Sequence, residues 1–184
     1  MIDQKFINQV HDYIRFRYCK KCKSVKAPRT HHCSICGKCV MRMDHHCPWV
    51  GNCVGVHTHK YFWTFLLYAF LGTLQASLCM IGNKGFEKMM QEGVAYMLAS
   101  IISLAFSLSI GGLLAIHTWM LLHNQTTLEM SALSKRNPFH RGSYFNNWAQ
   151  TFGTDYKKWF FPVSVSGKSG VYNGFSFTAV VPSF

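Results

Sequence analysis

The sequence predicts a mainly α-helical integral membrane protein with two transmembrane helices and a small cysteine-rich domain stabilised by metal. Two observations predict the membrane part, because residues 61–83 and 93–128 each contain no charged side chain. A third observation predicts the small domain, since seven of the eight cysteines lie between Cys19 and Cys53. The 19 Lys and Arg side chains lie outside the two uncharged stretches.

Each uncharged stretch is long enough to cross a bilayer, because about 20 apolar residues in a helix span the hydrocarbon core. The alternative is a pair of long buried helices in a soluble protein. Such helices usually show a polar stripe with a period of 3.6 residues, and neither stretch has one. We therefore expect transmembrane helices at residues 61–83 and 93–123.

The distribution of charge predicts the orientation of these helices. Residues 1–60 hold eleven Lys and Arg against three acids, whereas the connection 84–92 holds two of each. Because Lys and Arg accumulate on the cytosolic side, both ends are expected in the cytosol and 84–92 in the lumen or outside the cell. The cytosolic parts would be an N-terminal segment 1–14, a cysteine-rich domain 15–60 and a C-terminal region 124–184.

The net charge of +12 also bears on binding partners. Basic segments beside a membrane helix attract anionic lipid headgroups, so membrane lipids are the expected partner. Nucleic acid is not expected, because the chain has two predicted spans. The cysteine region also lacks a finger helix with the usual long spacing from cysteine to histidine.

The cysteines form three C-x2-C pairs, beginning at Cys19, Cys33 and Cys36. Structural disulfides are disfavoured in the cytosol, and this spacing lets two thiolates of one turn bind the same tetrahedral zinc ion. Two zinc ions need eight ligands. Seven cysteines with one histidine would supply them, and so would six cysteines with two histidines, which leaves one thiol free. Spacing alone does not choose between these sets.

The stretch "RMDHHCPWVGNC", residues 42–53, favours a free thiol at Cys47. A thiolate is the nucleophilic form of cysteine, and a neighbouring histidine can take its proton while an aspartate orients that histidine. Asp44 and His45 are in position to do so. The alternative interpretation is that Cys47 is a further metal ligand held by the turn at Pro48.

Three segments of the sequence resemble the DHHC family of integral-membrane protein S-acyltransferases (palmitoyltransferases). They are "CKKCKSVKAPRTHHCSICGKCVMRMDHHCPWVGNCVG" at 19–55, "TTLE" at 126–129 and "FNNWAQTFG" at 145–153. The resemblance implies short β-hairpins that carry two interleaved CCHC zinc sites, both structural. Their ligands would be Cys19, Cys22, His32 and Cys39 in one site and Cys33, Cys36, His46 and Cys53 in the other.

The resemblance also implies a function for the chain. Cys47 would be the nucleophile, His45 the general base and Asp44 the residue that orients His45. The reaction would move a long-chain acyl group, typically palmitoyl, from the co-substrate acyl-CoA to a juxtamembrane cysteine of a protein substrate. The alternative function is a catalytically incomplete, membrane-anchored zinc module that binds substrates or partners.

Further residues are candidates for supporting functions in the reaction that the resemblance implies, some by their position and charge and some by the family motifs. Trp49, Phe62 and Phe65 are candidates for contact with the acyl chain, and Phe62 and Phe65 are three residues apart on one helix face. The candidates for structural support near the active site are Thr126, Thr127, Glu129 and Asn147. The candidates for contact with the CoA phosphates are Lys26, Arg29 and Arg42.

The chain departs from the family pattern in two ways. Family members usually have at least four spans, and the two apolar segments here correspond to the third and fourth, so we expect an N-terminally truncated member. Thr58 stands where the family usually has Asn, and its hydroxyl can still donate and accept a hydrogen bond. The expected location is an endomembrane (Golgi or ER) or the plasma membrane.

Overall fold

A computed structural model of the chain describes residues 17–82, 87, 90–91, 93–132, 137 and 139–164. The predicted segment 1–14, most of the connection 84–92 and the tail after 164 lie outside the described residues. The chain forms two compact units. One unit contains residues 1–60 and 120–184, and the other contains residues 61–119.

Three antiparallel β-hairpins follow one another in the first unit. Their strands are β1 (Arg17–Cys19) with β2 (Ser24–Lys26), β3 (His31–Cys33) with β4 (Lys38–Val40), and β5 (His45–Cys47) with β6 (Asn52–Val54). The hairpins recur every 14 residues, because their first strands end at Cys19, Cys33 and Cys47. In each turn, the residue before the second strand has a positive φ, at Lys23, Gly37 and Gly51. Residues 17–54 thus contain three copies of one structural repeat.

Gly55 brings the third hairpin against the second. A Cβ atom at this position would lie 2.7 Å from Cγ1 of Val40 and 2.9 Å from the carbonyl oxygen of Met41. The next residue, Val56, donates its N–H to that same carbonyl at 3.1 Å. Only glycine permits so close an approach of two backbone segments.

Two short helices complete the described part of the first unit. They are α3 (Thr127–Ala132) and α4 (Tyr144–Phe152), followed by a 3₁₀ turn at Tyr156–Lys158. Ser143 caps α4 by accepting the N–H of Asn146 at 3.1 Å. Trp148 stacks on Phe152 with ring centroids 4.1 Å apart, which buries the inner face of α4.

The two long helices are α1 (His59–Ile81) and α2 (Val94–Leu122), with 23 and 29 residues. At 1.5 Å per residue they are about 35 and 44 Å long, which exceeds the hydrocarbon thickness of about 30 Å. Only 17% of the most apolar part of α1 and 11% of that of α2 is buried. A core helix of a soluble protein would be mostly buried. The length and exposed apolar surface of both helices therefore suit a lipid environment.

Polar pairs join α1 to α2 within the second unit. The Trp63 indole donates to the Thr118 hydroxyl at 2.9 Å, and the hydroxyls of Ser77 and Ser103 are 3.0 Å apart. Gly111 lies against the ring of Phe70, since a Cβ there would be 2.8 Å from Cε2. Small residues and side-chain hydrogen bonds are typical of helix pairs in membranes.

Candidate active site and metal clusters

The structure brings six cysteines and two histidines together in two groups of four. In each group the three sulfur atoms and one histidine nitrogen all lie within 4.8 Å of one another. Each group combines the C-x2-C pair of one hairpin with a histidine and a cysteine that face each other on the next hairpin. The groups are Cys19, Cys22, His32 and Cys39, and Cys33, Cys36, His46 and Cys53.

Each group fits a tetrahedral metal ion. With metal–sulfur bonds of about 2.3 Å and metal–nitrogen bonds of about 2.0–2.1 Å, ligand atoms should be about 3.5–3.8 Å apart. Nδ1 of His32 lies 3.2, 3.6 and 4.0 Å from its three sulfur atoms. Nδ1 of His46 lies 3.4, 3.7 and 3.7 Å from its own three. Three cysteines and one histidine form a common ligand set of structural zinc.

Backbone amides support the first cysteine of each pair. The N–H of Cys22 donates to Sγ of Cys19 at 3.4 Å, and the N–H of Cys36 donates to Sγ of Cys33 at the same distance. These bonds lower the pKa of Cys33 and lower that of Cys19 to about 7. A lower pKa favours the thiolate, which is the form that binds metal. Burial has the opposite effect on the other strand cysteine of each group, and raises the pKa of Cys39 and of Cys53 to about 12.

The third hairpin separates its two histidines by strand alternation. Successive side chains of a strand point to opposite faces, so His45 and Cys47 share one face of β5 and His46 has the other. His46 lies opposite Cys53 and joins the second metal group. His45 instead forms hydrogen bonds to Asp44, at 2.6 Å from Nδ1, and to Cys47. Cys47 belongs to neither group of four.

Asp44 is fully buried, and both its carboxylate oxygens are occupied. The N–H of Thr127 donates to Oδ1 at 2.8 Å, and its hydroxyl donates to Oδ2 at 2.8 Å. Burial alone would raise the pKa of Asp44. The hydrogen bond from His45, the charge of His59 and the two bonds from Thr127 outweigh burial and hold this pKa well below its usual range.

The pKa of His45 is shifted in the opposite direction, upward. Its hydrogen bond to Asp44 raises the pKa of the imidazole above its ordinary value, although partial burial opposes this. The hydrogen bond to Cys47 acts in the same direction as Asp44. His45 is therefore a stronger base than a free histidine, and it contacts a buried thiol.

Thr126 and Glu129 form a capping box at the start of α3. The hydroxyl of Thr126 accepts the N–H of Glu129 at 3.4 Å, and Oε2 of Glu129 accepts the N–H of Thr126 at 3.0 Å. This reciprocal pair is characteristic of a T-x-x-E sequence at a helix N-terminus. The box fixes the backbone at Thr127, the residue that holds Asp44.

Asn147 connects α4 to the end of α2. Its side-chain N–H donates to the carbonyl of Leu122 at 2.7 Å, and its oxygen accepts the N–H of Arg141 at 2.8 Å. Leu122 is the last residue of α2, where backbone carbonyls lack helical partners. Asn147 is fully buried.

Arg29 and Arg42 are buried rather than exposed. Arg29 donates to both oxygens of Glu129, at 2.6 and 2.7 Å, and its guanidinium lies 4.3 Å above the ring of Phe139. Arg42 donates to the hydroxyl of Thr151 at 2.8 Å. These contacts give both arginines a structural function, and their contact with CoA phosphates stays a prediction.

The other predicted contact residues have varied environments. Lys26 is half-buried in β2, and Trp49 in the turn of the third hairpin is 91% exposed. On α1, Phe62 is buried and its ring makes a T-shaped contact with that of His117, with centroids 5.0 Å apart, whereas Phe65 is about half exposed. The two phenylalanines therefore differ in environment despite their spacing.

The hydroxyl of Thr58 forms both kinds of hydrogen bond expected of it. It accepts the N–H of Gly55 at 3.0 Å and donates to the carbonyl of Cys53 at 2.8 Å. These bonds close the backbone after β6 and support a metal-group residue. Asparagine is thus not required at this position.

Sequence reasoning did not identify the polar network around Arg29, Arg42 and Asn124, nor the start of α3. One available signal was the capping-box pattern at residues 126–129, which predicts a helix start. Another was the 14-residue repeat, which aligns Cys19, Cys33 and Cys47. The partners of the two arginines gave no such signal, because they lie 82 to 109 residues away along the chain.

Comparison with known proteins agrees with this geometry. The family model described as DHHC palmitoyltransferase matches residues 12–134. Among the relatives, "Probable protein S-acyltransferase 13" of Arabidopsis thaliana is 36% identical over 157 residues, which cover 80% of this chain and 52% of the relative. "Probable protein S-acyltransferase 14" of the same plant is 39% identical over 159 residues, with coverages of 80% and 51%.

A human relative gives the same result. "Palmitoyltransferase ZDHHC20" of Homo sapiens is 35% identical over 159 residues, which cover 80% of this chain and 43% of the relative. The chain thus spans about half the length of the curated relatives it matches. The matched family and the two long apolar helices indicate an integral membrane protein. The predicted fold class is confirmed, and the chain belongs to the DHHC palmitoyltransferase family.

Proposed function

We propose that the chain acts as a protein S-acyltransferase, with a long-chain acyl-CoA, typically palmitoyl-CoA, as donor and a protein cysteine as acceptor. The observation that carries the proposal is the chain of contacts from Asp44 through His45 to Cys47. This thiol lies outside both groups of metal ligands in the described cysteine region. A nucleophile, a base and a group that orients the base are what covalent acyl transfer requires.

The first stage would form an acyl-enzyme. Because Nδ1 of His45 is engaged with Asp44, Nε2 remains to take the proton of Cys47. The Cys47 sulfur attacks the thioester carbonyl, the bond from carbonyl carbon to CoA sulfur breaks, and the departing thiolate takes the proton from His45. The products are a thioester on Cys47 and free CoA.

The second stage would repeat the same chemistry with the acceptor. A cysteine thiol of the protein substrate gives its proton to His45 and attacks the thioester on Cys47. The new thioester forms on the substrate, and Cys47 leaves as a thiolate that recovers the proton. Division into two steps lets one site serve two bulky partners in turn.

We further propose that the two groups of four hold structural Zn²⁺. Zinc there would supply no reaction step, since four protein ligands leave no open position. His46 and Cys53 would fix the third hairpin, and with it the backbone on which His45 and Cys47 face each other. Such rigidity is needed to keep a base within about 3 Å of a thiol.

The proposed setting is a membrane with the cysteine-rich region, residues 15–60, on the cytosolic side. The excess of Lys and Arg in residues 1–60 supports this orientation. An endomembrane or the plasma membrane would bring juxtamembrane cysteines of substrates within reach. Trp49, Phe62 and Phe65 remain the proposed contacts for the acyl chain, and Lys26 that for the CoA phosphates.

Autoacylation with palmitoyl-CoA in nanodiscs tests the proposal. We expect hydroxylamine-sensitive label on the wild type and none on Cys47→Ser, with equal zinc content in both. The matched control is Cys79→Ser, which removes a thiol on α1 and should keep the label. Absence of label from folded, zinc-loaded wild type would contradict the proposal and support the alternative of a membrane-anchored zinc module.

A further inference from the structure

Asn124 lies two residues after the end of α2 and has a left-handed backbone conformation, with φ of 51°. Its N–H donates to the carbonyl of Leu121 at 3.1 Å, and the N–H of Gln125 donates to that of Met120 at 2.9 Å. These two bonds define a Schellman motif, in which the left-handed residue is usually glycine. Glycine would adopt this backbone at no steric cost, so the asparagine side chain is expected to have a use of its own.

The side chain of Asn124 is buried and joins two arginines. Its Oδ1 accepts from Nη1 of Arg29 at 3.0 Å and from Nη2 of Arg42 at 3.1 Å. Its Nδ2 donates to the carbonyl of Phe139, and its own backbone carbonyl accepts from Nη2 of Arg29 at 3.0 Å. Both acceptor positions of the amide oxygen are thereby filled.

Two links run in parallel between the same two segments of chain. Asn124 binds Arg42, and three residues later Thr127 binds Asp44, which is two residues beyond Arg42. The bond from Arg42 to Asn124 fixes the position of the segment 124–127 relative to residues 42–44. If the bond between Arg42 and Asn124 were lost, the bonds from Thr127 to Asp44 would be the one link of this pair that still joins the two segments.

We propose that Asn124 is a positioning residue for the acyl transfer suggested above, and this inference rests on that proposed function. Asn124 contacts none of the reacting atoms and exchanges no proton. It holds Thr127 where both oxygens of Asp44 receive a hydrogen bond, so that His45 stays oriented toward Cys47. A shift of about 1 Å in such a support can lower a rate about 100-fold.

Substitutions that separate backbone from side chain test the inference in the full chain in nanodiscs. Asn124→Gly keeps the left-handed turn and removes the amide, whereas Asn124→Asp keeps an oxygen that can accept from both arginines. We expect Asn124→Gly to lower the rate of autoacylation at saturating palmitoyl-CoA about tenfold or more, with unchanged KM and zinc content. Asn124→Asp should recover most of the rate, and the exposed control Asn146→Ala should match the wild type.

A second readout separates this inference from the proposed function. Alkylation of Cys47 by iodoacetamide needs no acyl-CoA, and in a Cys79→Ser background it reports the orientation of His45 in zinc-loaded protein. Wild type without palmitoyl label would overturn the acyltransferase function, while slower alkylation of Asn124→Gly, by about tenfold, would still support positioning. Equal alkylation rates in wild type and Asn124→Gly would overturn the inference.

A further variant, Asn124→Ser, tests the inference if Asn124→Gly does not fold. If Asn124→Gly lost zinc, Asn124→Ser would replace it in both measurements, since serine keeps a single short acceptor. We then expect the rates to decrease from wild type through Asn124→Asp to Asn124→Ser. An Asn124→Ser protein with full zinc and wild-type rates would contradict the inference.

Discussion

Residues 30–33 are Thr-His-His-Cys and residues 44–47 are Asp-His-His-Cys, in equivalent places of the second and third hairpins. Cys33 belongs to a metal group together with Cys36, three residues further on. The residue three positions after Cys47 is Val50. The same backbone therefore presents one cysteine to a candidate metal group and the other as a thiol outside both groups of four.

The histidines two residues before these cysteines, His31 and His45, differ in the direction of their pKa shifts. Burial lowers the pKa of His31, whereas the hydrogen bond to Asp44 raises that of His45. Two of the differences between these hairpins, Thr30 against Asp44 and Cys36 against Val50, thus accompany the change from a metal-group hairpin to a candidate catalytic one. The comparison shows that a hairpin of this repeat needs few changes to present a cysteine outside the candidate metal groups, because its turn already fixes the position of the cysteine sulfur.

The largest effect should follow loss of a metal ligand from the second group. Cys36→Ser removes one of four ligands, and structural zinc contributes on the order of 10 kcal/mol to the folding of small domains. We expect loss of one zinc by elemental analysis, a large drop in unfolding temperature and no autoacylation. Wild-type zinc content in Cys36→Ser would contradict the assignment of ligands, and Cys79→Ser controls for removal of a thiol.

The second effect should come from Asp44→Thr, which converts the third hairpin to the sequence of the second. Without the carboxylate, His45 loses both its orientation and the contact that raises its pKa. Loss of the orienting aspartate lowers kcat up to about 10⁴-fold in a comparable triad, so we expect autoacylation to fall at least about 100-fold while zinc stays bound.

The matched control for Asp44→Thr is Thr30→Val at the equivalent position of the second hairpin. The Thr30 hydroxyl is buried and has no hydrogen-bond partner among the described residues. Its removal should change the rate of autoacylation by less than about threefold. Comparable losses in both variants would show that the effect is general damage to the hairpins.

The smallest effect should come from Val50→Cys, which restores a C-x2-C pair to the third hairpin. Two thiolates in one turn can share a zinc ion, but the described chain has no fourth hairpin to complete a tetrahedral site. We expect autoacylation within about threefold of wild type in chelator-buffered solution, and inhibition by added zinc that wild type does not show. For each protein, the ratio of the autoacylation rate with added zinc to the rate without it measures this inhibition.

Some features could be predicted from sequence because their signals are local. The absence of charge in residues 61–83 predicts a span, and C-x2-C spacing predicts metal binding. Strand alternation together with the 14-residue repeat could also have favoured the set of six cysteines and two histidines, since it places His32 beside Cys39 and His46 beside Cys53. The alternation of successive side chains between the two faces of a strand can be read from the sequence alone.

Other features could not be predicted, because they depend on distant contacts. Arg29 and Arg42 are ordinary basic residues in a basic segment, and sequence gives no reason to bury them. Their burial follows from Glu129, Asn124 and Thr151, which tertiary folding brings to them. A buried charge is stable only when such partners are in place.

The central claim is that Cys47 is the one thiol of the cysteine region that metal does not hold. Counting alkylated cysteines by mass spectrometry in native, zinc-loaded Cys79→Ser protein tests it most directly. We expect one modified thiol, at Cys47, and modification of all seven after chelation. Protection of all seven until zinc is removed would make Cys47 a metal ligand and would contradict the proposed function.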